Sequence, residues 1–165
     1  MGNTRAHILG LLVVICLMGS SCRTQSNLGG VKETRIPEDF ELMIQRGACF
    51  GTCPTYDLWV DASGEVKFEG HQYAPYEGVN EKEIPLEDVR QLVFELNEFR
   101  FFEFEDIYDD PQISDLPTFR TTVTMDGRQH TVINRYGAPA RLDSLQRRLL
   151  EVIDLSNGFQ EHPER

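Results

Sequence analysis

The chain has 165 residues, with 16 Lys plus Arg against 27 Asp plus Glu and a formal net charge of −11. So acidic a surface repels nucleic acid and anionic lipid headgroups, which excludes a nucleic-acid binder and a protein held on a membrane by a basic patch. The length suits one domain with one core, which at this size buries roughly 70% of its unfolded surface and needs neither metal nor disulfide to exist.

The N-terminus reads as an export signal. Arg5 is the only charged residue before position 23, and an apolar run follows at residues 8–18. That run is within secretory length and short of the roughly 20 residues needed to span a bilayer. Gly19, Ser20 and Ser21 then lead into Cys22. Small side chains before a cysteine are what a lipoprotein signal peptidase must admit beside the cleaved bond. The segment resembles a lipobox, with Gly19 where Leu is usual. The expectation is removal of residues 1–21, acylation of Cys22, and a membrane held through lipid. Cys16 lies inside the apolar run and is discarded with it. Residues 22–38, polar and containing Gly29, Gly30 and Pro37, are expected to be a flexible tether. No acidic run follows Cys22, which favours the outer membrane facing the periplasm.

A single domain is expected over residues 39–158. Phe40, Leu42 and Ile44 alternate with Glu41 and Gln45, which is strand periodicity. Residues 56–60 and 65–69 alternate likewise around Gly64 and read as a hairpin. Residues 71–80 look like a loop. Pro85 opens a helix over about residues 86–96, with Glu87 and Asp88 suited to the positive end of its dipole. Residues 101–104, Phe-Phe-Glu-Phe, are read as a short strand or a buried aromatic clasp. An acidic loop with prolines covers residues 105–118. A second hairpin spans residues 119–135, with Asp126 and Gly127 as its turn. A second helix covers residues 141–153 on the stripe Leu142, Leu145, Leu149, Val152 and Ile153, with Asn157 and Gly158 suited to its C-terminal cap. Residues 159–165 are expected to be a tail. The order β-ββ-α-ββ-α implies a two-layer α+β domain, a mainly antiparallel sheet of five to six strands covered by two amphipathic helices.

Cys49 and Cys53 form the one constellation with chemical potential. In an oxidising compartment paired cysteines become disulfides, and three intervening residues including Gly51 bend enough to bring the sulfurs together. The alternative is thiol exchange or copper binding, since two thiolates suit Cu(I) and His71 or His130 could add a ligand. The acidic loop lacks the spacing and central Gly of an EF-hand and reads as a solvated face. Trp59 points away from the face of Leu58 and Val60, as a partner contact or, better, as packing against a second layer. The chain has no Gly-x-Ser-x-Gly elbow, no His-Glu-x-x-His, no phosphate-binding glycine loop and no dinucleotide fingerprint. No catalytic, cofactor-binding or metal-ligating residue is therefore assigned, and the reading leans away from an enzyme.

The run Cys49-Phe50-Gly51-Thr52-Cys53-Pro54-Thr55-Tyr56, preceded by a strand, resembles the domain-of-unknown-function family DUF6438, found on small envelope lipoproteins. Tyr108, Asp115-Leu116-Pro117-Thr118 and Tyr136-Gly137-Ala138-Pro139 support the likeness, which covers about residues 40–155. The resemblance implies no activity, substrate or cofactor. Together the readings give an envelope lipoprotein that acts through a protein partner or as a structural element.

Overall fold

The computed structural model describes residues 28–161, so the expected signal peptide, Cys22 and the last four residues lie outside it. The chain forms α1 (Leu28–Glu33), β1 (Glu41–Arg46), β2 (Tyr56–Asp61), β3 (Glu65–Gly70), β4 (Gly78–Glu83) and α2 (Leu86–Glu98). A 3-10 turn at Phe101–Glu103 follows, then β5 (Ile107–Tyr108), β6 (Phe119–Met125), β7 (Arg128–Asn134), α3 (Ala140–Ile153) and β8 (Gln160–Glu161). The expected α+β architecture is present, with a larger sheet. Among the described residues its eight strands run in the order β5-β7-β6-β1-β2-β3-β4-β8, and every pair but β5–β7 is antiparallel.

Both hairpins form as their turn residues dictate. Val60 pairs with Val66 around Gly64. Met125 pairs with Arg128 around Asp126 and Gly127, both at positive φ, the twist that two-residue hairpin turns require. Alternation sends Leu42, Ile44, Leu58, Val60, Val66, Phe68, Val123 and Val132 to one face, each fully buried. Helices α2 and α3 cover that face with Val89, Leu92, Leu96, Leu142, Leu145 and Leu149, also fully buried. Glu95, buried on α2, joins the helices by accepting from Gln91 at 2.6 Å and from Arg148 at 3.2 Å.

Several expectations are corrected. Residues 78–83, half of them expected as loop, are β4, paired along the whole edge of β3. Of the two readings of residues 101–104 the strand is corrected and the buried aromatic clasp holds: they form a 3-10 turn with Phe101 and Phe104 buried in the core. Part of the expected tether is structured: α1 packs on α2, Val31 is 4% exposed, and Gly30 lies against the Phe94 ring. The expected tail contributes Phe159, packed on Phe68 and Tyr76, and β8, paired with β4. The C-terminal cap of α3 is Asp154, in the left-handed conformation, not Asn157 or Gly158. Lys82 of β4 donates to the carbonyls of Ile153, Asp154 and Asn157 at 2.6–2.9 Å, placing a cation at the negative end of the helix. Burial holds the Lys82 ammonium below its ordinary pKa.

The register defines two ends. Glu41 faces Asp61 and Thr124, so the β2–β3 and β6–β7 turns lie at the start of β1. Arg46 faces Tyr56 and Phe119, so the loops after β1, before β6 and after β7 lie at the other end, called the rim below. The N-terminal segment is tied to the turn end. Asp39 accepts from the amides of Asp126 and Gly127 at 2.8 and 2.7 Å, and Arg35 pairs with Asp126.

Candidate functional site

Residues 47–55, which link β1 to β2 at the rim, contain no charged side chain, in a chain that is 26% charged. Cys49 and Cys53 are disulfide-bonded, with Cα atoms 5.8 Å apart. Gly51, at φ 153°, makes the bend inside this short ring, where a side chain would be strained. The ring leaves Phe50 at its apex, 90% exposed. The loop is docked as well as closed: Gly47 donates to the Thr118 carbonyl at 2.8 Å and Phe50 to the Asp115 carbonyl at 3.4 Å. Hence the two loops whose motifs carry the family resemblance touch one another.

Beside them is a groove of about 510 Å³ between the ends of β1, β6 and β7 and the exposed side of α3. Its apolar lining is Leu116, Pro117, Phe119 and Leu150, and its cations are Arg46, Arg135 and Arg147. The Arg46 guanidinium stacks over the Phe119 ring at 4.7 Å. Arg135 is engaged by Asp109 at 2.6 Å, which fastens the acidic loop to the end of β7. A polar network forms the floor. Asn134 donates to Asp143 and to the Gln146 carbonyl oxygen, both at 2.9 Å, and Gln146 donates to Thr121 at 3.2 Å. Gln146 is 4% exposed and Thr121 fully buried, so these groups depend on each other for hydrogen bonds. Sequence reasoning missed this network and the groove. The available signal was Gln146, a polar residue on the apolar stripe four positions after Leu142.

The other residues singled out by sequence lie elsewhere. His71 is 3.1 Å from an Asp57 oxygen on the side of the sheet away from the helices. His130 is on the helix side, 3.0 Å from the Phe104 carbonyl, with its ring 5.5 Å from that of Phe101. The sheet separates the two rings, so they cannot jointly complete a site with the cysteines. In the acidic loop Asp110 accepts from the Gln112 amide and Asp115 from Ser114, both at 2.9 Å. Among the described residues, no three His, Cys, Asp or Glu side chains converge to hold a metal ion.

Trp59 points away from Leu58 and Val60, but the expected second layer over it is corrected: no described element covers that face. Lys67 lies 5.3 Å from its ring, and Met43 is its partner on β1. A shallow groove of about 320 Å³ beside Trp59 is lined by Glu41, Asp61, Glu65 and Lys67.

The profile of the family described as Domain of unknown function (DUF6438) matches residues 40–153, which takes in β1, the disulfide loop, the rim and all but the end of the second half. A comparison with curated proteins finds no match.

Proposed function

The chain belongs to the DUF6438 family, and from that premise we propose a non-enzymatic interaction module of the bacterial envelope, anchored by acyl groups on Cys22 and docking a protein partner through the rim. The apolar run at residues 8–18 and the small residues before Cys22 support export and lipidation. The Cys49–Cys53 disulfide agrees with an oxidising compartment. The absence of an acidic run after Cys22 supports the outer membrane facing the periplasm.

The single observation that carries the docking reading is Phe50. A large apolar side chain that is 90% exposed, on a short covalently closed loop, gains nothing for the fold where it stands. Held rigid, it loses little conformational entropy on binding, which is the property of an interface anchor. The thiol or copper alternative has less support, because His71 and His130 are committed to other partners on opposite sides of the sheet. Among the described residues, no helix is long and apolar enough to cross a membrane; the anchor in this proposal is the lipid on Cys22.

Intact-mass measurement of protein extracted from its own envelope tests the proposal. The expected species starts at Cys22 with attached acyl groups and an oxidised Cys49–Cys53 pair, and Cys22→Ala releases the chain from the membrane. An unacylated N-terminus elsewhere would sink the anchor. Stoichiometric Cu(I) bound at the cysteines, or their ready reduction near the potential of glutathione, would make the alternative the better account.

A further inference from the structure

We infer that the rim takes an extended segment of a partner protein in which an apolar side chain sits beside a carboxylate, presented from the side of the domain that faces away from the membrane. The orientation rests on the lipid anchor proposed above; the chemistry of the groove does not.

Charge points to the carboxylate. The chain carries −11 overall, yet the groove sets Arg46, Arg135 and Arg147 against only Asp143 and Glu151. Arg135 is neutralised by Asp109. Arg46 stacks on Phe119, and Arg147 donates to Ser144 at 3.4 Å. Among the described residues neither Arg46 nor Arg147 has a carboxylate within ion-pair distance, and the two flank an apolar lining. Arginine suits this task, because its planar fork binds carboxylates while its weakly hydrated face rests on an aromatic ring. The apolar half of the ligand is matched by Leu116 and Leu150 in the groove, with Phe50 on the loop whose amide bonds to Asp115, next to Leu116 in the chain.

Chain length points to the direction of approach. Residues 22–27 separate the proposed lipid from α1, and fully extended they reach about 20 Å. Helix α1 packs on α2 with Gly30 against Phe94, and residues 35 and 39 hold the β6–β7 turn. Strand β1 then runs its whole length, roughly 20 Å, from that end to Arg46. Residues 35 and 39 thus fasten the chain that leads to the lipid onto the turn end, and in this proposal the rim is the end turned away from the bilayer.

The test pans a random dodecapeptide library against the full acylated protein in nanodiscs, then titrates the selected peptides against variants. Enriched peptides should pair Asp or Glu with Leu, Ile or Phe. Their Kd should weaken at least tenfold for Arg147→Glu and for Phe50→Ser, with melting temperatures unchanged, and stay put for Trp59→Ala. No enrichment, enrichment of basic peptides, or binding indifferent to both rim variants would overturn the inference. Because Trp59 is the sole tryptophan, Phe50→Trp in a Trp59→Phe background reports on the bilayer. Its emission should resist quenching by vesicles of brominated phosphatidylcholine; quenching would assign the loop to lipid instead. Sedimentation decides the remaining occupant, since a dimer lost on Phe50→Ser would seat a second copy there. If mass shows no acyl group on Cys22, the orientation falls with the anchor, and the peptide arm still judges the groove.

Discussion

The rim and the open face of the sheet are both uncovered surfaces with an aromatic residue at their centre, and they are built in opposite ways. At the rim, Phe50 stands clear on a closed loop, beside a groove backed by a buried network through Asn134, Gln146 and Thr121. On the open face, Trp59 is half-buried under Lys67, among carboxylates such as Glu41, Asp57, Asp61, Glu65, Glu69 and Glu81. The open face keeps itself solvated: its charges are close together, Gln45 donates to Asp57 at 2.7 Å, and His71 meets the same carboxylate. An aromatic in such a setting shields a sheet. An aromatic held in a closed loop and exposed, on a rim whose Arg46 and Arg147 have no carboxylate partner among the described residues, is the feature on which the docking proposal rests. What distinguishes the two is support from beneath and local charge balance, not exposure alone.

The largest effect expected from this comparison is at the groove lining. Phe119 is 6% exposed and supports Arg46, so Phe119→Ala should cost about 3–5 kcal/mol in urea unfolding, the usual range for a buried phenylalanine. Trp59→Ala should cost about 1 kcal/mol, the centre of the distribution for substitutions without a core cavity. Equal losses at the two positions would erase the contrast.

Next in size is the disulfide. Cys49→Ser/Cys53→Ser should lower stability by about 2 kcal/mol on the chain-entropy account of so short a loop. Calorimetric melting checks this, and a reductant should lower the wild-type transition while leaving the variant unmoved. Phe50→Ser lies at the other extreme. It should change stability by no more than about 0.5 kcal/mol, as expected for an exposed site, while weakening the partner binding proposed for the rim.

The smallest effect is expected at the turn end and depends on pH. The Gly127 amide hydrogen bond holds the Asp39 carboxyl below its ordinary value of 3.8, opposing desolvation, with further help from the Asp126 amide. A carboxyl with a depressed folded-state pKa stabilises the fold above its unfolded value, and that contribution disappears as the pH falls through the folded value. Asp39→Asn should therefore lower the melting temperature slightly at neutral pH, and the difference from wild type should shrink as the pH drops below 3.8. A difference independent of pH would mean that Asp39 acts through something other than its charge.

What the sequence determined by itself is local. Alternation placed β1, β2, β3, β6 and β7, the stripes placed α2 and α3, the turn residues placed both hairpins, and the spacing of Cys49 and Cys53 foretold their bond, because each of these depends on neighbours within a few residues. Tertiary structure decided the rest. Strand β4 has a weak burial rhythm and forms because β3 offers an unpaired edge, while β5 and β8 are two residues each, too short to show any period. Helix α1 is held by packing on α2 and by residues 35 and 39 on a turn far along the chain. The groove needs Arg46 stacked on Phe119 and Asn134 bonded to Gln146, pairings that span three strands and a helix. A sequence shows the period of one element and the chemistry of one turn. It carries no local mark of which distant side chains the sheet order will set side by side, and the rim is made of those.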